Sequence, residues 1–422
     1  MHRAGPVRNS GRSTRSEDGK QRLQWGQSDE TFNLSTAKEG PLPGFRPSGR
    51  LYIATMSRPP AEMPCTHFFT IDAEMTYLPF CADFGPINLG HTFNFLRKLT
   101  GIFTDPTLEG KRIVCCTPRG QAEVTNVIYL LGAFLCLSLS AKPDAAWHPF
   151  ANAFKDVCKP FRDATWVKST YDLHGLVKAT SEGLFDPVDF DEEEYFYYDP
   201  PLNGDMHEVV PNKFYAFKGP SDRRGLSDTA HYALLPSDYI RVFKYKELEG
   251  ASEFTKHDLV HHDLFFTDCS TPSDQIVHAF LVISENAQRP LAVHCLAGLG
   301  RTGTLIALWM MKHMKFTANE AIAWLRIVRP GSVIGPQQAY LVEQEPRMHE
   351  LGARPGVSGL GMADGYNWTT HVDWTPGNVR RAPARSGEHS SILAKMITQG
   401  MQNRHQRGSP GVVEATEHAG CA

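Results

Sequence analysis

Apolar residues concentrate in two stretches of the chain, residues 64–185 and 213–346, and polar sequence flanks both. Residues 1–60 and 352–422 are rich in Gly, Ser, Pro and Arg and lack apolar periodicity, which predicts disordered termini. Between the two stretches, residues 186–212 are acidic, aromatic and interrupted by prolines, which is typical of a linker. The pattern therefore predicts two folded domains joined by an acidic linker.

The first stretch has the pattern of a small α/β unit. An extended segment is predicted at HFFTI, a strand at KRIVCCT, and helices at QAEVTNVIYLLGAFLCLSLS and around YDLHGLVKATSEGL, the last ending at Gly183. The longest apolar run, Val127 to Leu139, is too short to cross a bilayer and predicts a buried helix. Cys115 and Cys116 are interpreted as strand packing, and this stretch has no recognisable catalytic cluster.

The second stretch combines a strand, a glycine-rich turn and a helix. RPLAVHC predicts a buried strand, and TLIALWMMKHM predicts an apolar helix after the turn. Another helix is predicted over TANEAIAWLRIV, with a capping box of Thr317 and Glu320. A further helix is predicted in STPSDQIVHAFLVISEN, with Pro272 at its first position. Strand, glycine-rich turn and helix in succession are the architecture of an anion site at a helix N-terminus.

The turn, within AVHCLAGLGRTGTL, carries residues that packing alone does not require. Five residues separate Cys295 from Arg301, so the intervening amides can curl around one point. Gly298 and Gly300 allow the backbone conformations and the close approach that such a nest needs. The candidate phosphate-binding loop comprises Leu296, Ala297, Gly298, Leu299, Gly300 and Arg301.

The residue types around this loop suit a reaction at phosphorus. Arg301 can hold two phosphate oxygens with its planar fork and stays charged at any working pH. The helix dipole and this arginine predict that the pKa of Cys295 is lowered into the ~3.5–7.5 range of activated cysteines. A thiolate facing a phosphate monoester would form a phosphocysteine. His294 is predicted to support the loop through hydrogen bonds, and Thr302 to donate its hydroxyl to the sulfur.

This chemistry requires a general acid, because an alkoxide leaves phosphorus poorly. Asp268 is the candidate, since it follows the extended run HDLFF and precedes a helix, on a loop at the same strand-end edge as Cys295. Water then has to attack the phosphocysteine, and Gln337 or Gln338 in IGPQQ is expected to orient it.

Composition excludes some classes of function. Lys+Arg total 43 and Asp+Glu total 46, a formal net charge of −3, which argues against a nucleic-acid or membrane-surface binder. Nine scattered cysteines in a chain of this size predict reduced, intracellular thiols. The Arg- and Ser-rich N-terminus lacks the apolar core of a secretory signal. We therefore expect a cytoplasmic or nuclear protein with no nucleic-acid or membrane partner.

One further segment, HDLVHHD, has the density of a metal site. It contains His257, His261, His262 and Asp263, but it leads directly into a predicted strand and has no further ligands nearby in sequence. A solvated turn is the favoured interpretation, and we expect no metal and no cofactor.

Several segments together resemble the cell-division-cycle-fourteen type dual-specificity protein phosphatases of the Cys-x5-Arg superfamily. They are the loop itself, DLFFTDCSTPSD, RPGSVIGPQQ, CADFGPIN and PNKFYAFKGP, and the resemblance covers most of residues 64–346. It implies an α/β fold of two tandem phosphatase-like domains, each a central, mostly parallel sheet flanked by helices, with only the second domain catalytic.

The same resemblance implies a substrate class. It implies hydrolysis of phosphotyrosine and of phosphoserine or phosphothreonine, with a preference for phosphoserine followed by proline and a downstream basic residue, in cell-cycle control. The implied partners are phosphoproteins that proline-directed kinases have modified. A homodimer and an association with the centrosome or spindle are left open.

The chain departs from the family pattern at three places. In the acidic groove that the family's linker supplies, Asp199 matches one acidic position and Phe196 occupies the neighbouring one. Cys269 stands where the family has glycine after the general acid. Between Lys244 and Tyr245 the chain lacks an apolar strand that the family carries. Either this sequence lacks a segment, another stretch substitutes, or the fold is compromised.

Two other functions would use the same loop. A phosphoinositide phosphatase would favour lysines in the cradle, where this chain has Leu296 and Leu299, so it ranks low. The main alternative is a catalytically impaired phosphatase fold that binds phosphoproteins. The absent strand favours this alternative, whereas the presence of Cys295, Arg301 and Asp268 argues against it.

Overall fold

The computed structural model describes most of both predicted domains. The described residues are 31–33, 50–56, 58–61, 63–71, 75–77, 83–154, 156–158, 170–221, 225–226, 232–246, 262–354, 356 and 359–360. All of them belong to one structural unit of the chain, residues 1–368.

The first domain is built on a four-stranded sheet with a parallel centre. Its strands are β1 Thr31–Asn33, β2 Leu51–Thr55, β3 Thr66–Phe69 and β4 Arg112–Thr117. In the order β1-β2-β4-β3, strand β4 runs parallel to both of its neighbours, and β1 is antiparallel to β2. The helices are α1 Leu89–Thr104, α2 Gln121–Leu139, α3 Pro143–Ala153 and α4 Thr170–Ser181. The predicted α/β unit with a mostly parallel sheet is confirmed.

Helix α2 is the central helix of this domain. By length and composition it is long and apolar enough to cross a membrane, but 78% of its apolar window is buried inside the protein. Such burial on all sides is typical of a core helix. The buried helix predicted from the sequence is therefore confirmed.

Strand β2 shows that the prediction of disorder for residues 1–60 is wrong in part. Leu51, Ile53 and Ala54 are buried, and β2 pairs with β4 along its whole length. A short strand buried on both faces has no polar alternation that the sequence could reveal. Leu360 is also buried, so the predicted tail from residue 352 begins too early. Residues 1–30, 34–49 and 361–422 lie outside the described residues, and disorder there stays a prediction.

The predicted linker, residues 186–212, is folded rather than a simple connection. It contains helix α5, Glu192–Tyr198, and a short 3-10 helix, Pro201–Asn203. The hydroxyl of Tyr195 donates to the carbonyl of Val328 at 2.7 Å, which ties the linker to the second domain. Phe196 packs against His91 of the first domain, with ring centroids 5.1 Å apart. The linker thus packs against both domains.

The second domain contains a sheet of order β5-β6-β9 and a separate β7-β8 pair in its described part. Its strands are β5 Met206–Val210, β6 Phe214–Lys218, β7 Gly225–Leu226, β8 Tyr232–Ala233 and β9 Leu291–Cys295. Its helices are α6 Pro236–Lys246, α7 Asp274–Asn286, α8 Gly300–Met314, α9 Ala318–Val328 and α10 Pro336–Leu351. Strand β6 is antiparallel to β5 and parallel to β9. Because β5 belongs to this sheet, the domain begins before the predicted residue 213.

Two helix starts test the capping predictions. The capping box of Thr317 and Glu320 is present at the start of α9, as predicted. Helix α7 begins at Asp274 with Ser273 as its N-cap, so the placement of Pro272 at the first helical position is wrong. Ser273 can satisfy the free amide of Ile276, which proline cannot do, and this determines where the helix starts.

Strand β9 lies at an open edge within the described part of the sheet. No described strand pairs with it on the side away from β6, and its residues after Leu291 are only half-buried, where the sequence predicted a buried strand. An apolar cavity of about 380 Å³ lies along it, lined in part by Phe243, Phe280 and Val293. Phe243 belongs to α6, the helix that contains the junction of Lys244 and Tyr245, where the resemblance predicted an additional strand. The described residues contain no stretch that substitutes for this strand.

The two domains pack closely where α4 meets α9. A Cβ atom on Gly175 would lie 2.7 Å from the carbonyl oxygen of Glu320 and from Cβ of Ala323. Asp172 is buried beside this contact, and its burial raises its pKa to about 8, although the charge of Arg326 opposes the shift. This tight interface fixes helix α9, whose C-terminal end lies beside the candidate loop.

Candidate active site

The candidate loop connects the end of β9 to the start of α8. Gly298 adopts φ +69°, in the left-handed region that favours glycine. A Cβ atom at this position would lie 1.9 Å from the carbonyl oxygen of Phe217 in β6, so no other residue fits without moving the strand. The loop conformation therefore depends on glycine at 298.

The first four carbonyl groups of the loop, those of residues 296–299, accept hydrogen bonds from outside it. The amide of Gly219 donates to Leu296 at 3.1 Å, and the amide of Gly303 donates to Leu299 at 2.9 Å. The guanidinium of Arg329 donates to the two carbonyls between them, those of Ala297 and Gly298. In a planar peptide the N–H points opposite to the C=O, so outward carbonyls turn the amides towards the centre. This is the geometry of an anion-binding nest.

Cys295 lies at the base of this nest. Burial by itself would raise the pKa of Cys295. The proximity of Thr302 and of the amides of Leu299 and Gly298 outweighs this effect and holds that pKa below its ordinary value. Thr302 lies beside the sulfur, but its buried hydroxyl makes no hydrogen bond to a described residue, so its role as a donor to the sulfur stays a prediction. These groups belong to the loop and to the first turn of α8, whose free amides carry the positive end of the helix dipole.

Arg301 and Asp268 face each other across the site. Nη2 of Arg301 lies 3.0 Å from Oδ1 of Asp268, and Nη1 donates to the carbonyl of Phe266 at 2.9 Å. Asp268 is more than half exposed, whereas Arg301 is largely buried. The structure therefore brings the candidate acid to the loop, although residues 262–267 form no strand before it.

Comparison with known proteins identifies the family. The profile of the N-terminal half of dual specificity protein phosphatases matches residues 47–179, and the profile of the dual specificity phosphatase catalytic domain matches residues 247–345. Dual specificity protein phosphatase CDC14C of Homo sapiens is 39% identical over 313 residues, which cover 70% of this chain and 69% of that protein. The chain belongs to the CDC14 family of dual-specificity phosphatases.

Other CDC14 relatives are longer than this chain. CDC14A of Homo sapiens is 41% identical over 319 residues, covering 72% of this chain and 54% of that protein. The tyrosine-protein phosphatase cdc-14 of Caenorhabditis elegans is 36% identical, covering 73% of this chain and 47% of that protein. The chain spans about half the length of these relatives. A crystal structure of Tk-PTP in the active form covers 35% of this chain and 97% of that chain with TM-score 0.27 and 19% identity, too distant to carry an argument.

The supporting residues predicted for the CDC14 site lie around it. Nδ1 of His294 is 3.1 Å from the carbonyl oxygen of Cys295. A carbonyl oxygen can only accept a hydrogen bond, so Nδ1 carries the proton. Gln337 accepts from the amide of Ile334 at 3.1 Å and donates to the carbonyl of Ser270 at 3.0 Å. Gln337 thereby joins the loop after Asp268 to the start of α10. Gln338 is buried beside it.

Asp199 of the linker lies further from the nucleophile and is not a free surface carboxylate. It follows α5, and its Oδ1 lies 3.0 Å from Nε2 of His207. Burial would raise the pKa of Asp199, but His207 and Arg329 hold it below its ordinary value. Sequence reasoning did not single out His207 or Arg329, since nothing in HEVV or RIVRPG indicates chemistry. Their position relative to the loop exists only in three dimensions.

No described residues of this CDC14 chain form a group of three or more His, Cys, Asp or Glu side chains able to hold a metal ion. His257 and His261 lie outside the described residues. The prediction of a solvated turn at HDLVHHD, and the expectation of no metal or cofactor, therefore stay predictions.

We expect Cys269→Gly to raise the free energy of unfolding by about 0.5–1 kcal/mol. Cys269 has φ +56°, a conformation that costs roughly 1–2 kcal/mol for a residue with a Cβ atom. Glycine avoids this cost but loses more backbone entropy on folding, so the net gain in stability is smaller than the cost itself. Urea unfolding of both proteins measures the difference.

Cys65→Gly is the matched control, because Cys65 is also an exposed thiol but is not among the residues with positive φ. This control should lose stability. An equal loss in both variants would show that the backbone at 269 is not strained.

Proposed function

We propose that this chain is a protein phosphatase that hydrolyses phosphotyrosine and phosphoserine or phosphothreonine through a phosphocysteine, in cell-cycle control. The observation that carries the proposal is the convergence of Cys295, whose pKa is lowered by loop donors, with Arg301 and Asp268 at a phosphate-sized nest. The names of the CDC14 relatives support the reaction class.

In the first step, the thiolate of Cys295 attacks phosphorus in line with the ester bond. The S–P bond forms while the P–O bond to the substrate breaks, and Asp268 gives a proton to the leaving oxygen. The inward amides and the fork of Arg301 take the charge that spreads over the phosphoryl oxygens. Arg301 binds Asp268 at 3.0 Å here, so an arriving phosphate would compete with this carboxylate for the guanidinium.

In the second step, water attacks the phosphocysteine. Asp268, now a carboxylate, takes a proton from the water, the S–P bond breaks, and phosphate and the Cys295 thiolate are released. Gln337 or Gln338 orients the water in this proposal.

The proposed substrates are phosphoproteins modified by proline-directed kinases. Asp199 would attract a basic residue downstream of the phosphoserine, although its pairing with His207 limits its freedom to do so. Phe196 packs against the first domain and adds no charge to this groove. The basic preference should therefore be weak. Homodimerisation, and a cytoplasmic or nuclear location with centrosome or spindle association, are further parts of the proposal.

The test is phosphate release from matched peptides. One peptide has proline after the phosphoserine and the other has alanine there, and each is made with and without a downstream lysine. A phosphotyrosine peptide is measured beside them. We expect turnover of all of them and the highest kcat/KM for the proline peptide with lysine. Cys295→Ser serves as the blank. A folded protein that binds these peptides without turnover would instead be a phosphoprotein-binding module.

A further inference from the structure

We propose that Arg329 is a positioning residue for the phosphate-binding loop, and that Asp205, just before β5, and His207, within β5, hold it in place. Arg329 follows the last residue of α9 and does not itself face the nest. It acts on the reaction through the loop backbone. This inference rests on the proposed function only for its kinetic arm.

Arg329 uses its whole guanidinium in this arrangement. Nε donates to the carbonyl of Gly298 at 2.9 Å, and Nη2 donates to the carbonyl of Ala297 at 3.0 Å. Nη1 lies 2.7 Å from Oδ1 of Asp205 and 3.0 Å from Nδ1 of His207. The side chain is only 3% exposed. A planar fork with fixed directions meets four acceptors, a pattern that a lysine cannot reproduce.

His207 has a defined protonation in this network. Arginine can only donate, so Nδ1 of His207 accepts and the proton of the neutral ring lies on Nε2, which faces Asp199 at 3.0 Å. Asp199, His207 and Arg329 therefore lie next to one another between the end of α5 and the loop. The carboxylate of Asp205 balances the buried guanidinium charge.

The two carbonyls that Arg329 holds determine the direction of two specific amides. The carbonyl of Ala297 shares a planar peptide with the amide of Gly298, and the carbonyl of Gly298 shares one with the amide of Leu299. These same two amides are among the donors that lower the pKa of Cys295. Arg329 thus fixes, from outside the nest, donors that stabilise the thiolate and would bind phosphate.

The test compares Arg329→Lys with Arg326→Lys. Arg326 is a buried arginine of α9 that also donates to two carbonyls, that of Ser332 at 3.0 Å and that of Val333 at 2.7 Å. Neither carbonyl belongs to the nest. Both substitutions keep the positive charge and remove the fork. The pH dependence of Cys295 alkylation by iodoacetamide is read at that cysteine by mass spectrometry, together with kcat and KM and the melting temperature.

We expect both variants to lose comparable stability and only Arg329→Lys to change the loop. Its alkylation midpoint should move to higher pH, and kcat should fall by about 10²-fold, the loss typical of a misplaced reacting group. An unmoved midpoint in a folded Arg329→Lys protein, or an equal shift in both variants, overturns the proposal. If the unsubstituted protein turns over no substrate and Arg329→Lys still shifts the alkylation midpoint, the positioning role of Arg329 is supported and the proposed function is contradicted.

Asp205→Asn decides the question if Arg329→Lys does not fold. Asp205 has φ +47°, which asparagine tolerates, so the substitution removes the charge that holds Arg329 without straining the backbone. The alkylation midpoint should move in the same direction by a smaller amount. An unchanged midpoint in folded Asp205→Asn would overturn the role of Asp205 and, in the absence of folded Arg329→Lys, the proposal as a whole.

Discussion

Cys295→Ser is expected to reduce kcat for every phosphate ester on the order of 10⁶-fold, the loss that follows removal of a catalytic nucleophile. Thr302, Leu299 and Gly298 hold the pKa of Cys295 below its ordinary value, which raises the fraction of the reactive thiolate. A serine hydroxyl at the same position stays protonated at neutral pH and is a weak nucleophile towards phosphorus. Steady-state phosphate release measures the loss.

The nest should survive this substitution, because its donors are backbone amides and Arg301. Binding of tungstate, a phosphate analogue, to Cys295→Ser should therefore be retained, which separates lost chemistry from lost folding. Cys65→Ser is the matched control, since Cys65 is an exposed thiol of the first domain. Turnover in Cys295→Ser close to that of the parent protein would mean that another group attacks phosphorus.

Asp268→Asn is expected to lower kcat for phosphoserine peptides by about 10²–10⁴-fold, the usual contribution of proton donation in the transition state. Asparagine keeps the shape of Asp268 but has no proton to give to the leaving alkoxide. An aryl phosphate with a well-stabilised leaving group needs little protonation, so its turnover should fall far less. The ratio of the two losses is the diagnostic measurement.

Asp274→Asn is the control for Asp268→Asn. Asp274 is also an exposed carboxylate paired with an arginine, in this case Arg347 at 2.7 Å. This control should change neither substrate's turnover. Equal losses for the alkyl and the aryl ester in Asp268→Asn would show that Asp268 only positions Arg301, to which it is bound at 3.0 Å.

Local patterns were sufficient for several elements. The periodicity of α2, the capping box of α9 and the strand-turn-helix around Cys295 each depend on residues close together in the chain. The pattern was not sufficient for β2, which is short and buried on both faces, or for α5, which lies inside a segment with the composition of a linker. In both cases packing against distant residues overrides the local preference.

The sequence by itself indicated the family, and it predicted the candidate nucleophile and the candidate arginine because Cys295 to Arg301 form one continuous loop whose chemistry follows from spacing. Only the tertiary structure decided what holds that loop. Arg329 lies 31 residues from Gly298, and His207 lies 122 residues from Arg329, so their contacts arise from the folding of α9 and β5 against each other. A buried arginine has no local sequence signal, since its partners are backbone carbonyls, which every residue carries.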